Sequence, residues 1–259
     1  MELRPYQKEA KDAILKSWEE FQRSLLVLPT GTGKTIVFSK VAEERTKAGK
    51  VLIMAHREEL LSQAADKIWK SCNIPCSLEK ASSSCLGSWE PITVGSVQTL
   101  MSEKRLSMFP PDYFKTVIVD EAHHAMSESY QRVLNHFHGA KVLGVTATPD
   151  RGDKKNLGQY FENLAYEYSL LDAVNDGYLC SLKAKTVPLQ IDLNQVKVSQ
   201  GDYQAGDLGD ALAPYLEQIA DVMTEYADRK TVVFLPLVAT SQHFCELLNV
   251  CSSDLSANC

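Results

Sequence analysis

The stretch VLPTGTGKTIVF, residues 27–38, decides the fold. An apolar run meets a proline, two glycines bracket a threonine, Lys-Thr follows, and apolar residues then resume at helical spacing. A strand feeding a glycine turn and then a helix leaves backbone amides free at a helix N-terminus, where partial positive charge collects. Such a terminus binds phosphate. The turn reads as a P-loop. Backbone amides of Thr30, Gly31, Thr32 and Gly33 would cradle phosphates, Lys34 would reach the β- and γ-phosphates, and the Thr35 hydroxyl would sit on Mg²⁺. Where the strict pattern has a first glycine, this chain has Leu28. The competing reading is a glycine turn that only caps a buried helix.

Outward from that turn, apolar runs rich in β-branched residues alternate with helix-period segments. The runs are SLLVL (24–28), KVLIMA (50–55), ITVG (92–95), TVIVD (116–120) and KVLGVT (141–146). Between them Leu60, Leu61, Ala64, Ala65 and Ile68 recur at helical spacing, as do Tyr130, Val133, Leu134 and Phe137. The alternation predicts an α/β fold: βαβ units in a mainly parallel sheet with helices on both faces. Ligands of such sheets bind at the carboxyl ends of the strands. From TPDRGDKKN (148–156) onward the pattern loosens into sheet edge and connector, and KTVVFLPLVATSQHFCELLN (230–249) predicts a new strand and helix.

Composition bounds the function. With 44% hydrophobic and 23% charged residues the chain is of globular type, and no apolar run approaches the roughly 18 residues of a membrane span. The polar start MELRPYQKEAKD has no secretion-signal core, so the expected compartment is cytoplasmic, with no membrane partner. Seven cysteines, an odd number at irregular spacing, argue against a disulfide framework. Cys72, Cys76 and Cys85 lack the paired knuckles of a zinc site. A net charge of −6 excludes a global basic footprint, so any nucleic-acid contact must come from a few placed side chains.

A second chemical signal is VIVDEAHH (117–124), an apolar strand ending in adjacent carboxylates. Downstream of a P-loop, Asp120 suits Mg²⁺ coordination and Glu121 suits polarising an attacking water. PTGTGKT, DEAH (120–123) and TATP (146–149), in this order, resemble motifs I, II and III of the superfamily two helicases and translocases. LRPYQ (3–7) resembles their Q-type adenine motif, AHREEL (55–60) motif Ia and VGSVQTL (94–100) motif Ib. LRPYQKEA, AHREEL, DEAHH, GVTATPDRGD and DAVNDGYL look closest to the DEAD/DEAH-like branch that includes type I and type III restriction-enzyme motor subunits and phage-encoded helicases.

The resemblance implies a RecA-like ATP-binding domain over 1–180, a connector over 181–228, and at 229–259 the first strand and helix of a second RecA-like lobe. It implies ATP and Mg²⁺ as cofactors and nucleic acid as partner, with DNA the expected track. A nuclease or methyltransferase partner is left open. Carried over by position, Gln7 would meet the adenine edge, with Arg4 and Tyr6 near the base. Tyr6 equally fits plain core packing, because it shares a helix face with Ala10, Ala13 and Ile14. Thr146 and Thr148 resemble the motif III hydroxyls that couple the two ligand sites, and His123 the DEAH histidine that joins them. His124 reads as an ordinary surface or core histidine. Arg57, Ser96, Gln98 and Thr99 would contact a strand backbone, with Arg151 a weaker candidate. The alternative for Arg57 is an ion pair with Glu58 or Glu59.

The resemblance also implies motifs V and VI, whose arginines speed hydrolysis, and neither is found after Lys230. The segment VCSSDL (250–255) does not continue the pattern and resembles a translated sequencing adapter, so the native polypeptide is expected to end in this chain near Asn249. Residues 230–259 are then expected to be loose or docked on the first lobe. The expected function is an ATP-dependent helicase or translocase represented by an incomplete motor. The alternatives are a nucleotide-binding module without efficient hydrolysis and a P-loop phosphotransferase of another class.

Overall fold

The computed structural model describes residues 2–55, 58–147, 157–186, 188–189, 191–194, 196–199, 202–226 and 228–251. They form two compact units, 1–182 and 183–259.

The first unit is built on seven strands: β1 (Arg23–Val27), β2 (Lys50–Ala55), β3 (Cys76–Glu79), β4 (Ile92–Ser96), β5 (Phe114–Asp120), β6 (Lys141–Thr146) and β7 (Asn163–Glu167). They pair in the order β3-β4-β2-β5-β6-β1-β7, and every pairing is parallel. Parallel sheets are covered on both faces, which is why these strands read as continuous apolar runs. Alternate residues serve opposite faces. Val51, Ile53 and Ile118 join one core with α1 (Pro5–Glu20), α2 (Lys34–Arg45) and α3 (Glu58–Cys72). Leu52, Met54, Val117 and Val119 join the other with Phe109, Phe137 and α6 (Glu128–His136). Two short helices, α4 (Val97–Leu100) and α5 (Glu103–Leu106), follow β4, and α7 (Leu170–Asn175) follows β7. The five predicted strands form where expected. β7 falls in the stretch read as sheet edge, and β3 was not foreseen, because CSLE is short and only partly apolar.

The second unit contains α8 (Ala205–Leu212), α9 (Leu216–Thr224) and α10 (Val238–Cys251). The predicted helix forms. The predicted strand does not: residues 231–235 carry no ladder, and Val232 and Phe234 are 77% and 90% exposed. A strand is defined by its partners, and none pairs with this one among the described residues. Nor is the segment simply loose, since Phe244 and Leu248 of α10 bury against Leu216 and Ala220 of α9. Helices α8 and α9 lie within the stretch read as connector. Leu216, Ile219, Ala220 and Met223 recur at helical spacing there and carry the signal for α9. No described helix is long and apolar enough to cross a membrane.

Candidate nucleotide site and strand-facing edge

The carboxyl end of β1 opens the glycine turn. Leu28 N–H donates to the Thr146 carbonyl at 3.0 Å, which ties the start of the turn to the end of β6. The Leu28 side chain is fully buried in the α1–α3 core, so its place in the motif is a packing one. Gly31 and Gly33 have φ of +89° and +84°, a region that favours residues without a Cβ. A Cβ on Gly33 would also stand 2.7 Å from Gln7 Nε2. Helix α2 begins at once, and its first amides have no intrahelical acceptor. Thr30 and Gly31 are exposed, while Lys34 and Thr35 are half-buried.

Helix α1 pins this turn from behind. The buried Thr32 donates from Oγ1 to the Pro29 carbonyl at 2.6 Å. Its own carbonyl accepts from Tyr6 Oη at 2.6 Å and from Gln7 Nε2 at 2.9 Å. Gln7 Oε1 accepts from Arg4 N–H at 3.0 Å. The Gln7 amide, expected at an adenine edge, here braces the turn from the start of α1. Tyr6 is a core residue, stacked on Tyr168 with centroids 4.5 Å apart and edge-on to Tyr178 at 4.8 Å. The exposed Arg4 guanidinium lies 5.0 Å from the Tyr178 ring centre. Tyr168, Tyr178 and Leu179, whose Cδ2 lies 3.1 Å from where a Cβ on Gly31 would stand, are neighbours that sequence reasoning missed. The available signal was the resemblance of DAVNDGYL.

One strand separates the turn from the carboxylates. Strand β6 pairs Thr146 with Val27 on one side and Val145 with Asp120 on the other. Burial pushes the Asp120 carboxyl above its ordinary value, and the neighbouring Glu121 adds to the push. The Glu121 N–H, at 3.1 Å from Asp120 Oδ1, and the charges of Lys34 and Lys67 pull the other way. Glu121 has φ 56° and ψ 65°, a left-handed conformation costing about 1–2 kcal/mol for a residue with a Cβ. Its Oε2 lies 3.6 Å from Nδ1 of the exposed His123, whose ring centre is 4.1 Å from that of the half-buried His124. Thr146 is buried at the end of β6.

The structure thus brings Arg4, Gln7, Thr30 to Thr35, Asp120, Glu121 and Thr146 to one end of the sheet. Ser96, Gln98 and Thr99 sit on the same carboxyl edge but further along it. Ser96 is buried at the end of β4 opposite Ala55 and opens α4, where Gln98 is exposed and Thr99 half-buried. Arg57, Thr148 and Arg151 lie outside the described residues. Burial pushes the Cys76 and Cys85 thiols up to about 12, which keeps them protonated and unreactive. Chemically, the arrangement offers a helix N-terminus and a lysine with a carboxylate pair one strand away, a combination suited to a phosphate chain.

Residues 1–151 match the ResIII family, described as "Type III restriction enzyme, res subunit". Among curated proteins, IRC3 of Saccharomyces cerevisiae is 32% identical over 222 residues, covering 80% of this chain and 32% of that protein. The DNA 3'-5' translocase XPB2 of Sulfurisphaera tokodaii is 34% identical over 156 residues, covering 60% of this chain and 33% of that one. The chain spans about a third of the length of these relatives. The UvsW helicase of bacteriophage T4 shares the fold, with a TM-score of 0.53 at 22% identity over 65% of this chain and 61% of that one. With both the glycine turn and the DEAH carboxylates inside the matched span, the chain belongs to the ResIII family, within superfamily two of the helicases and translocases.

Proposed function

We propose that this chain carries the ATP-binding lobe of a motor that couples ATP hydrolysis to tracking along nucleic acid. The observation that carries the reading is the pairing of β6 with both β1 and β5, which sets the glycine turn one strand from the Asp120–Glu121 pair, with the two left-handed glycines at the N-terminus of α2. ATP and Mg²⁺ fit these residues. Amides of Thr30 to Gly33 and the Lys34 ammonium would hold the phosphates, and Thr35 and Asp120 would hold the metal. Bound Mg²⁺ supplies charge neutralisation of the β- and γ-oxygens. Glu121 orients the attacking water and draws off its proton, and its left-handed backbone sets where the carboxylate points. Gln7, Tyr6 and Arg4 transmit the state of the turn to α1, with Arg4 and Gln7 bordering the base. Thr146, Thr148 and His123 link this end of the sheet to the strand-facing edge.

Along that edge Arg57, Ser96, Gln98 and Thr99 hold a strand by its backbone, which gives tracking without base readout. XPB2 is named a DNA translocase, which supports DNA as the track. Residues 1–180 are the ATP-binding lobe, 181–228 the connector, and 229–259 the opening of a second lobe. Transition-state arginines supplied from outside a P-loop lobe are typically worth ~10³–10⁵ in rate. The chain alone is therefore expected to bind Mg·ATP and to turn it over slowly. Titrating Mg·ATPγS, and then measuring ATP turnover with and without single-stranded DNA, tests this. Binding by the wild type that Lys34→Ala abolishes is expected; absence of binding overturns the reading. DNA-stimulated turnover of several per second by the chain alone overturns the incomplete-motor part.

A further inference from the structure

Tyr130, in α6, is 1% exposed, and its hydroxyl has no hydrogen-bond partner among the described residues. Folded proteins pair the great majority of buried polar side-chain atoms, because an unmet hydroxyl loses its hydration for no return. A phenylalanine would fill this space without that cost. The ring sits in the same core as Ala122 and Ala125 of the DEAH turn, and the His124 ring lies nearly parallel to it at 6.1 Å. Tyr130 thus supports the turn that carries the carboxylates. Burial, and then the charges of Asp120 and Glu121, push its ionisation well above the ordinary tyrosine value. The phenol keeps its proton, and Ala122, in the same core, directly follows the Asp120–Glu121 pair, whose carboxylates are acceptors.

We infer that Tyr130 is a positioning residue, its hydroxyl a donor held in reserve for the Asp120–Glu121 pair and engaged when Mg²⁺ and nucleotide fix those carboxylates. The inference rests on the Mg²⁺-nucleotide reading above. It predicts effects of opposite sign in the free and bound states. A hydroxyl without a partner in the free protein costs its lost hydration there, whereas a hydrogen bond to a charged group is worth about a factor of ten or more.

The test uses the whole 259-residue chain, as wild type and Tyr130→Phe. Thermal melts report the free state, and calorimetric titration with ADP, in Mg²⁺ and in EDTA, reports the bound one. The expected result is a free variant that melts at or above the wild-type temperature, binds Mg·ADP about tenfold more weakly, and binds ADP in EDTA equally well. Equal Mg·ADP affinities would overturn the inference. So would a free variant melting several degrees lower, since the hydroxyl would then have a structural partner already. A wild type that binds no Mg·ADP sinks the nucleotide reading itself, an outcome separate from the other two.

Discussion

Asp120 is a residue whose free state is uncomfortable. Its carboxyl is pushed up by burial and by Glu121, so the folded protein holds a proton there more tightly than the unfolded chain does. Such a group favours folding below the unfolded aspartate value, near pH 4, and costs stability as pH rises through the folded value. Asp120→Asn removes the charge and keeps the shape. The variant is expected to melt above the wild type at pH 7, the gain shrinking to nothing as pH falls below about 4. Melts across that range check it, and a variant less stable at neutral pH would contradict it. On the reading proposed above, bound Mg²⁺ would need the carboxylate ionised and so reverse the balance, and the same substitution should then remove Mg²⁺-dependent nucleotide stabilisation. The placement of Lys34 and Asp120 at the carboxyl end of the sheet was legible in the sequence because a glycine turn and a strand-end carboxylate pair are local signals. The bond from Gln7 to Thr32 was not, since it joins residues 25 apart and depends on how α1 docks.

At the scale of elements, β6 is the piece that links the two halves of the site, and its packing leaves little slack. A Cβ on Gly144 would stand 2.3 Å from Phe161 Cζ, with two more ring atoms within 2.9 Å. The glycine backbone is therefore in direct contact with the ring. Gly144→Ala is expected to cost about 1–3 kcal/mol through overpacking, and Phe161→Leu in the same chain to recover part of it, as measured by urea unfolding. Additive losses would show that the ring is not the obstacle. Strand β3 is held differently. Glu79, fully buried at its end, accepts from Cys85 N–H at 2.7 Å, and its Oε1 lies 3.0 Å from Arg105 Nη1 of α5. That ion pair lies off the hydrogen-bond line, so Oε1 is met by charge alone. Arg105→Ala leaves the carboxylate half-answered and should cost about 3 kcal/mol, the low end for breaking a buried pair because Arg105 reaches solvent. The same unfolding assay measures it. No periodicity signals such a pairing, and β3 itself is four residues of mixed polarity. The long buried strands were readable because two covered faces demand continuous apolar runs.

The whole chain divides unequally in the resources that hold it. Residues 1–182 enclose a core on each face of a seven-stranded sheet, while among the described residues the second unit's buried apolar cluster is Leu216, Ala220, Phe244 and Leu248, with Ile219, Met223, Leu235 and Leu247 partly buried against it. Chain entropy of about 1–2 kcal/mol per ordered residue is not offset by burying three large side chains at about 1.5–3 kcal/mol each, one alanine and a partly covered fringe. A chain cut after Leu182 is accordingly expected to unfold cooperatively in urea. Residues 183–259 alone should show helix without a cooperative transition, and a sharp transition there would contradict the division. The position of the cut matters for a structural reason. Tyr168 and Tyr178 pack on Tyr6, whose hydroxyl braces Thr32 in the glycine turn, and β7 covers the outer edge of β1. A chain ending at residue 160 would lose that edge and those rings, and so should bind Mg·ADP more weakly than the chain ending at 182 even where both stay folded. Equal affinities would mean that α1 holds the turn without help from the segment after β6.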